Sequence, residues 1–342
     1  MKTSKMIFMT IVILSLILLG ALSLGLYTSN DIKNRTEQMS QINNEDVRYH
    51  VMMIINKSDE TYSDAFFDGV KLSAIAYNVA VETIEVEERD YLNEVVDRLD
   101  MAIYSKVDGI ILHAYNDADI IDRINQASEM GIPVITLNEN LHQSKRISYA
   151  GNNRYSIGIN VGKTIADLTS GRGKIAVVDQ IDYENNVVES TDLLNLGIKD
   201  VVDDYEKLEI VLTRHTEQGV LSAETIATEI LEDYPEIDAI FCTDSQSTLG
   251  IVQVLIDRNR VNDFTIIGSG NDMEILDYIR RGTVIEATII TDDFSLGKVS
   301  IEAFYNYKEN GIVNTEYLPS ILVVNQENIS AYLKELRLED EE

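Results

Sequence analysis

The sequence predicts an α/β protein of two doubly wound parallel-sheet lobes, and three observations carry that prediction. Apolar strands alternate with amphipathic helical segments from Val47 onward, the pattern of a mostly parallel sheet covered by helices. One strand–helix–strand unit also occurs twice, some 130 residues apart. The first copy runs DGIILHA from Asp108 and resumes as IPVITLNE at Ile132; the second runs DAIFCTD from Asp238 and resumes as FTIIGSGN at Phe264. In both copies, the polar residues fall where buried parallel strands would end. Ligands of open α/β sheets bind just beyond those carboxyl ends, so two polar rims point to a cleft that closes on a small molecule.

The first element expected is a membrane helix. Lys2 and Lys5 precede an uncharged run from Met6 to Asn30, apolar from Met6 to Leu26. At about 1.5 Å per residue such a helix reaches about 30 Å, the thickness of a bilayer core. Signal-peptide apolar regions are shorter, about 7–15 residues, so length favours a retained anchor; Ala21-Leu22-Ser23 leaves a cleaved signal peptide as the alternative. The charge ahead of the helix places the body of the protein on the extracytoplasmic side of the cell membrane. Residues 31–46 are polar and aperiodic, and read as a linker, with a short helical stalk as the alternative.

The folded body follows in order. Val51–Ile55 is a continuous apolar run, as for a strand buried on both faces. Tyr62–Tyr77 carries Phe66, Val70, Ala74 and Tyr77 along one helical stripe, and Val79–Val86 alternates as a strand. Helix 91–104, strand 109–114, helix 117–130 and strand 132–138 complete the first series. After Gly151 the alternation restarts with helix 156–170, strand 174–178, helix 191–203, strand 208–213, helix 223–233 and strand 238–243. Helix 247–258, strand 264–268, helix 273–281, strand 284–290, helix 296–307 and an extended segment at 319–324 end the chain.

Composition removes several function classes. The formal charge is 28 minus 58, or −30, which repels polyanions and excludes nucleic-acid binding. The single cysteine, Cys242, sits inside an apolar strand and reads as a small buried hydrophobe. His50, His113, His142 and His215 lack zinc-site spacing, so no metal is expected. Gly171-Arg172-Gly173-Lys174 precedes a strand, whereas a phosphate loop follows one. Gly268-Ser269-Gly270 lacks the third glycine of a dinucleotide fingerprint. No catalytic residue or cofactor is expected, because no constellation for chemistry is present.

The order and spacing of six segments resemble the ribose- and galactose-type extracytoplasmic sugar-binding proteins, whose type I solute-binding fold is shared with the lactose-repressor ligand-binding core. The segments are DGIILHAYND (108–117), GIPVITLNEN (131–140), YAGNNRYSIGINVG (149–162), YPEIDAIFCTDSQSTLG (234–250), FTIIGSGND (264–272) and IEATIITDDFSLG (285–297). A repressor would carry a basic helix-turn-helix ahead of this core; a membrane segment stands there instead. The resemblance implies two lobes joined by a three-strand hinge near Gly151, Thr291 and Ser320. Lobe one is then 47–151 plus 292–319, and lobe two 152–291 plus 320–338.

It also implies site residues. Asp, Asn and Glu side chains pair with adjacent hydroxyls, and aromatic rings pack on the apolar faces of sugars. Tyr62 stands where the family has a stacking aromatic, and Glu60 at a polar contact; the alternatives are a helix-surface tyrosine and a loop acid. His113 occupies a rim position that is Asn in the ribose-binding pattern, or else is a structural histidine. Asn138 and Glu139 match an Asp-Arg pair, with the second charge reversed. Asp244 matches a family Asn and either grips a ligand or caps the next helix. Asn271 or Gly270 falls where the family has Asp, with a turn role as the alternative, and Thr291 where it often has Gln. The family's second-lobe arginine has no counterpart in Glu189-Ser190-Thr191-Asp192.

The expected function is a membrane-tethered binding protein for a small polar ligand, a sugar by resemblance. Its partner is either an ABC permease, for uptake, or a membrane sensor kinase or receptor to which it reports the ligand.

Overall fold

Alternating apolar runs and amphipathic segments fold into two separate sheets with helices on their faces. The computed structural model describes residues 47–339 except 58, 60, 88–90, 152, 181–187 and 217–219. The expected membrane helix (1–30), the linker (31–46) and Glu60 lie outside the described residues. Among those described, no helix is long and apolar enough to cross a membrane.

The first sheet is entered through β1 (Tyr49–Asn56), α1 (Asp64–Tyr77), β2 (Val79–Val86), α2 (Tyr91–Ser105), β3 (Gly109–Ala114), α3 (Ala118–Glu129), β4 (Val134–Asn138) and β5 (Ser148–Ala150). The chain continues through α4 (Arg154–Thr169), β6 (Arg172–Gln180), α5 (Val188–Val202), β7 (Lys207–Thr216), α6 (Val220–Asp233), β8 (Ala239–Cys242), α7 (Ser245–Asp257), β9 (Thr265–Ser269), α8 (Met273–Arg281) and β10 (Ile285–Thr291). It ends with α9 (Asp293–Asn310), β11 (Glu316–Tyr317), β12 (Ile321–Asn325) and α10 (Ile329–Glu339). Strand order is β11-β5-β4-β3-β1-β2 in one sheet and β12-β10-β9-β8-β6-β7 in the other. The chain therefore passes between sheets three times: between Ala150 and Arg154, between Thr291 and Asp293, and between Tyr317 and Ile321.

Pairing is parallel from β1 to β3, β3 to β4, β4 to β5 and β5 to β11. It is also parallel across β7, β6, β8, β9 and β10. The exception is β12, antiparallel to β10. Direction explains it: β11 runs with its sheet toward the carboxyl ends, so the short link delivers β12 to the same end of the second sheet, from which it can only run back. Sequence reading missed β5, β11 and α10; strands of three and two residues carry no readable period.

Both faces of the sheets are buried, as the continuous apolar strands require. In β8, Ile240 and Cys242 join the core beneath α6, α7 and α8, while Phe241 points into the opposite core with Val161, Ile165, Leu194 and Ile198. Cys242 is buried as expected, and burial pushes its thiol pKa well up. In the first sheet, Met52, Ile54, Ile110 and Leu112 pack with Tyr91, Leu99 and Ile120.

Each half also contains a pair of helices in very close approach. A Cβ on Gly69 of α1 would collide with the Phe294 carbonyl of α9, and one on Gly297 of α9 with the Phe66 carbonyl of α1. Gly158 of α4 and Gly197 of α5 make the same reciprocal arrangement against the Leu194 and Tyr155 carbonyls. Only residues without a side chain let the backbones meet this closely. The α1–α9 contact matters most, because both helices begin at the site.

Candidate functional site

The carboxyl end of β1 leads into a turn that Asp59 organises, its Oδ1 accepting the Thr61 N–H at 2.9 Å. Ser63 occupies the N-cap of α1, but its side chain makes no cap bond. The hydroxyl is directed to Asp293 at the start of α9, donating to Oδ2 at 3.2 Å. Thr291, the last residue of β10, donates to Asp293 Oδ1 at 2.9 Å. One carboxyl group thus ties the first rim to the strand that leaves the second sheet.

Beside it, His113 is the penultimate residue of β3, with 1% of its surface exposed. A 2.5 Å hydrogen bond joins its Nδ1 to the Tyr62 hydroxyl, and Asp59 Oδ2 lies 3.7 Å from the same nitrogen. The rings of Tyr62, Tyr91 and Tyr115 meet the imidazole edge-on, with centroids 5.5, 5.7 and 4.9 Å away. Tyr91 donates to the His113 carbonyl at 3.0 Å, and Asn56 Nδ2 donates to the Tyr115 hydroxyl at 3.0 Å. Burial, reinforced by the Asp59 charge, pushes the Tyr62 phenol pKa well up, so it remains a neutral hydroxyl.

In the second half, Asp244 follows β8 and caps α7, its Oδ1 accepting the Ser247 N–H at 2.8 Å. It is only 8% exposed, and its Oδ2 is buried with no hydrogen-bond partner among the described residues. Burial first, and then the charge of Asp179, push its pKa up against the hydrogen bonding from Ser247 and Gln246. Asp179 lies wholly buried near the end of β6, with Arg154 Nη2 3.9 Å from its Oδ1. Asp272 caps α8 through the Glu274 N–H at 2.8 Å.

Between the two rims lies a cleft of about 460 Å³, lined by Lys57, Asp59, Tyr62 and Ser63 on one side and by Ser245, Gln246, Leu249, Asn271 and Asp272 on the other. Of the residues singled out in the sequence, Tyr62 and Asn271 line this cleft. His113 is packed behind Tyr62, Asp244 immediately precedes the lining Ser245, and Thr291 bonds Asp293. Glu139 follows β4 on the first sheet, where its charge reaches Tyr149. Asn138 ends β4, paired in register with Ala114. Sequence reading passed over Lys57, Asp59, Ser63, Gln246, Asp272 and Asp293. The available signal was an Asp-x-Thr turn directly after a strand. Among the described residues no three His, Cys, Asp or Glu side chains gather as a metal site.

Asp293 makes stability depend on pH. Burial, together with the Asp59 and Asp292 charges, raises its carboxyl to about 7 despite the bonds from Thr291 and Ser63. The folded state therefore holds this proton more tightly than the unfolded chain does. The associated stability is complete below about pH 4 and is lost as pH rises to about 7. An Asp293→Asn variant should lack this loss, so wild type relative to variant weakens by a few kcal/mol, in order of magnitude, between pH 4 and 8. Urea midpoints of both proteins at the two pH values provide the check; parallel curves would refute it.

Two doubly wound sheets whose carboxyl ends flank one polar cleft are the architecture of a two-lobed binding protein. The chain belongs to the family described as periplasmic binding protein domain, whose model matches residues 51–311. It is 21% identical over 251 residues to the ribose import binding protein RbsB of Bacillus subtilis, covering 73% of this chain and 79% of that one. It is 24% identical over 229 residues to the ABC transporter periplasmic-binding protein YphF of Escherichia coli, covering 65% and 68%. Among solved structures, it resembles GanP, a glucose-galactose binding protein from Geobacillus stearothermophilus, with TM-score 0.73, 23% identity and coverage of 82% and 98%. A solute-binding protein from Actinobacillus succinogenes with bound D-allose matches with TM-score 0.75 and 19% identity over 83% of this chain and 100% of that one.

Proposed function

We propose that this protein is a membrane-tethered, extracytoplasmic solute-binding protein that closes on a sugar for ABC-type uptake. The cleft between the two rims carries the reading, since it offers hydroxyl, amide and carboxylate groups beside an aromatic ring, the mixture a polyhydroxylated ligand requires. In this reading lobe one is 47–151 plus 292–319, lobe two is 152–291 plus 320–338, and the three crossings act as the hinge. Ligand held by both rims shifts the population from open to closed. Tyr62 supplies the ring face, with Asn271 and Asp244 opposing it from lobe two. Glu60, His113, Asn138, Glu139 and Thr291 complete or support the rim. The segment 1–30 holds the protein at the membrane. Uptake is favoured over sensing because the two relatives named above, RbsB and YphF, are described as import or ABC-transporter binding proteins.

Titration calorimetry against a panel of pentoses, hexoses and polyols tests the proposal. Saturable one-to-one binding by at least one of them is expected, and Tyr62→Ala should weaken it about tenfold or more by removing the ring face. A chain that binds none of the panel would end the sugar reading.

A further inference from the structure

The charges that line the cleft bear on which ligands can enter it, an inference that rests on the sugar-binding reading above. Asp59 lines one side and Asp272 the other. Lys57, the lining cation among the described residues, is paired with Glu87 at 2.6 Å. Asp59 Oδ2 lies 3.7 Å from His113 Nδ1, while Asp272 is exposed and accepts the Glu274 N–H at 2.8 Å. A cleft of about 460 Å³ is narrow beside the Debye length, about 8 Å at physiological salt, so a ligand within it feels both carboxylates.

Helix geometry alone would favour the opposite kind of guest. Three helices begin at this cleft: Ser63 is the N-cap of α1, Asp244 that of α7 just before the lining Ser245, and Asp272 that of α8. Helix N-termini attract anions. Here the protein's own carboxyl groups already meet that attraction. Asp244 Oδ1 accepts the Ser247 N–H at 2.8 Å, Asp272 occupies the start of α8, and the Ser63 hydroxyl donates to Asp293 at 3.2 Å. An ionised carboxylate or phosphate on the ligand is a pure acceptor, as Asp59 and Asp272 are when ionised, so it meets like charge without a donor to share. A neutral hydroxyl donates to either carboxylate and meets no such conflict.

We propose that Asp59 and Asp272 set specificity by charge, so that the cleft accepts neutral polyhydroxylated ligands and rejects their acidic counterparts, the uronates and sugar phosphates. Titration calorimetry of the full-length chain in detergent at pH 7.5 tests this with D-glucose, D-galactose and D-mannose, each beside its uronate and its uronamide. Uronate and uronamide match in shape and differ in charge. In at least one set the uronamide should bind tenfold or more tightly than the uronate. Asp59→Asn and Asp272→Asn, which retain an acceptor for the turn and the cap, should each narrow that gap threefold or more. Raising NaCl from about 20 to about 500 mM should narrow it as well, because screening weakens charge repulsion and leaves a misfit of shape untouched. A uronate that binds as well as its uronamide overturns the inference and leaves the sugar-binding reading standing. A gap unchanged in both variants, or unmoved by salt, overturns the assignment to these two carboxylates. No binding by any of these compounds also overturns the inference, while the sugar-binding reading is decided by the wider panel of pentoses, hexoses and polyols.

Discussion

Gly297→Ala is expected to destabilise the protein by several kcal/mol, against the usual direction for a glycine in a helix. In an exposed helix interior, alanine is favoured over glycine by about 1 kcal/mol. Here the added methyl would occupy the space of the Phe66 backbone carbonyl, which cannot rotate aside as a side chain could. Relief requires α1 and α9 to move apart, loosening the packing around Phe66 and Phe304, which are buried in this half. Gly69→Ala makes the reciprocal collision with the Phe294 carbonyl. Since both substitutions demand the same separation, the double variant should cost clearly less than the sum of the singles. The separation also reaches the site, because Ser63 and Asp293 stand at the two helix starts and are bonded to each other. Chemical denaturation of the two single variants and the double variant gives the measurement. A single variant as stable as wild type, or strictly additive costs, would contradict the close-approach argument.

How much of this could be read from the chain depends on the range over which each feature is encoded. Strands such as β1, β3 and β8 carry continuous apolar runs because both of their faces are covered, so each announces itself within a few residues. The two-residue β11 is defined by its partner instead: Glu316 aligns with Tyr149, far earlier in the chain, and no local pattern encodes that pairing. The site divides the same way. Tyr62, Asp244 and Asn271 follow strand ends and His113 lies at one, positions legible from the strands themselves, and two of the four line the cleft while two lie just behind it. Asp293 was not singled out, although it joins Ser63 across 230 residues of sequence. With 58 acidic side chains in the chain, one aspartate among so many carries no signal until the fold buries it.

Asp244→Asn should separate what the residue does for the fold from what it does for the ligand. Asparagine retains an acceptor for the Ser247 N–H, so the cap of α7 survives. It removes a carboxylate whose pKa burial and the Asp179 charge have raised, and whose second oxygen has no hydrogen-bond partner among the described residues. At pH 8, where the wild-type carboxylate carries its full penalty, the variant should therefore be at least as stable as wild type. Lowering the pH protonates the wild-type group and should narrow any advantage, the sign expected for a raised carboxyl. Asp244→Ala, which also loses the cap, should be about 1 kcal/mol less stable than Asp244→Asn. Ligand affinity should move the other way. A charge-assisted hydrogen bond contributes about 1.5–3 kcal/mol, so either substitution should weaken binding by about 10- to 100-fold. Denaturation at pH 5 and 8, paired with calorimetric titration of the ligand, reads both effects. Unchanged affinity in Asp244→Asn would reduce this residue to a helix cap, whereas lost affinity in a more stable protein identifies a carboxylate kept for binding at a cost to the fold.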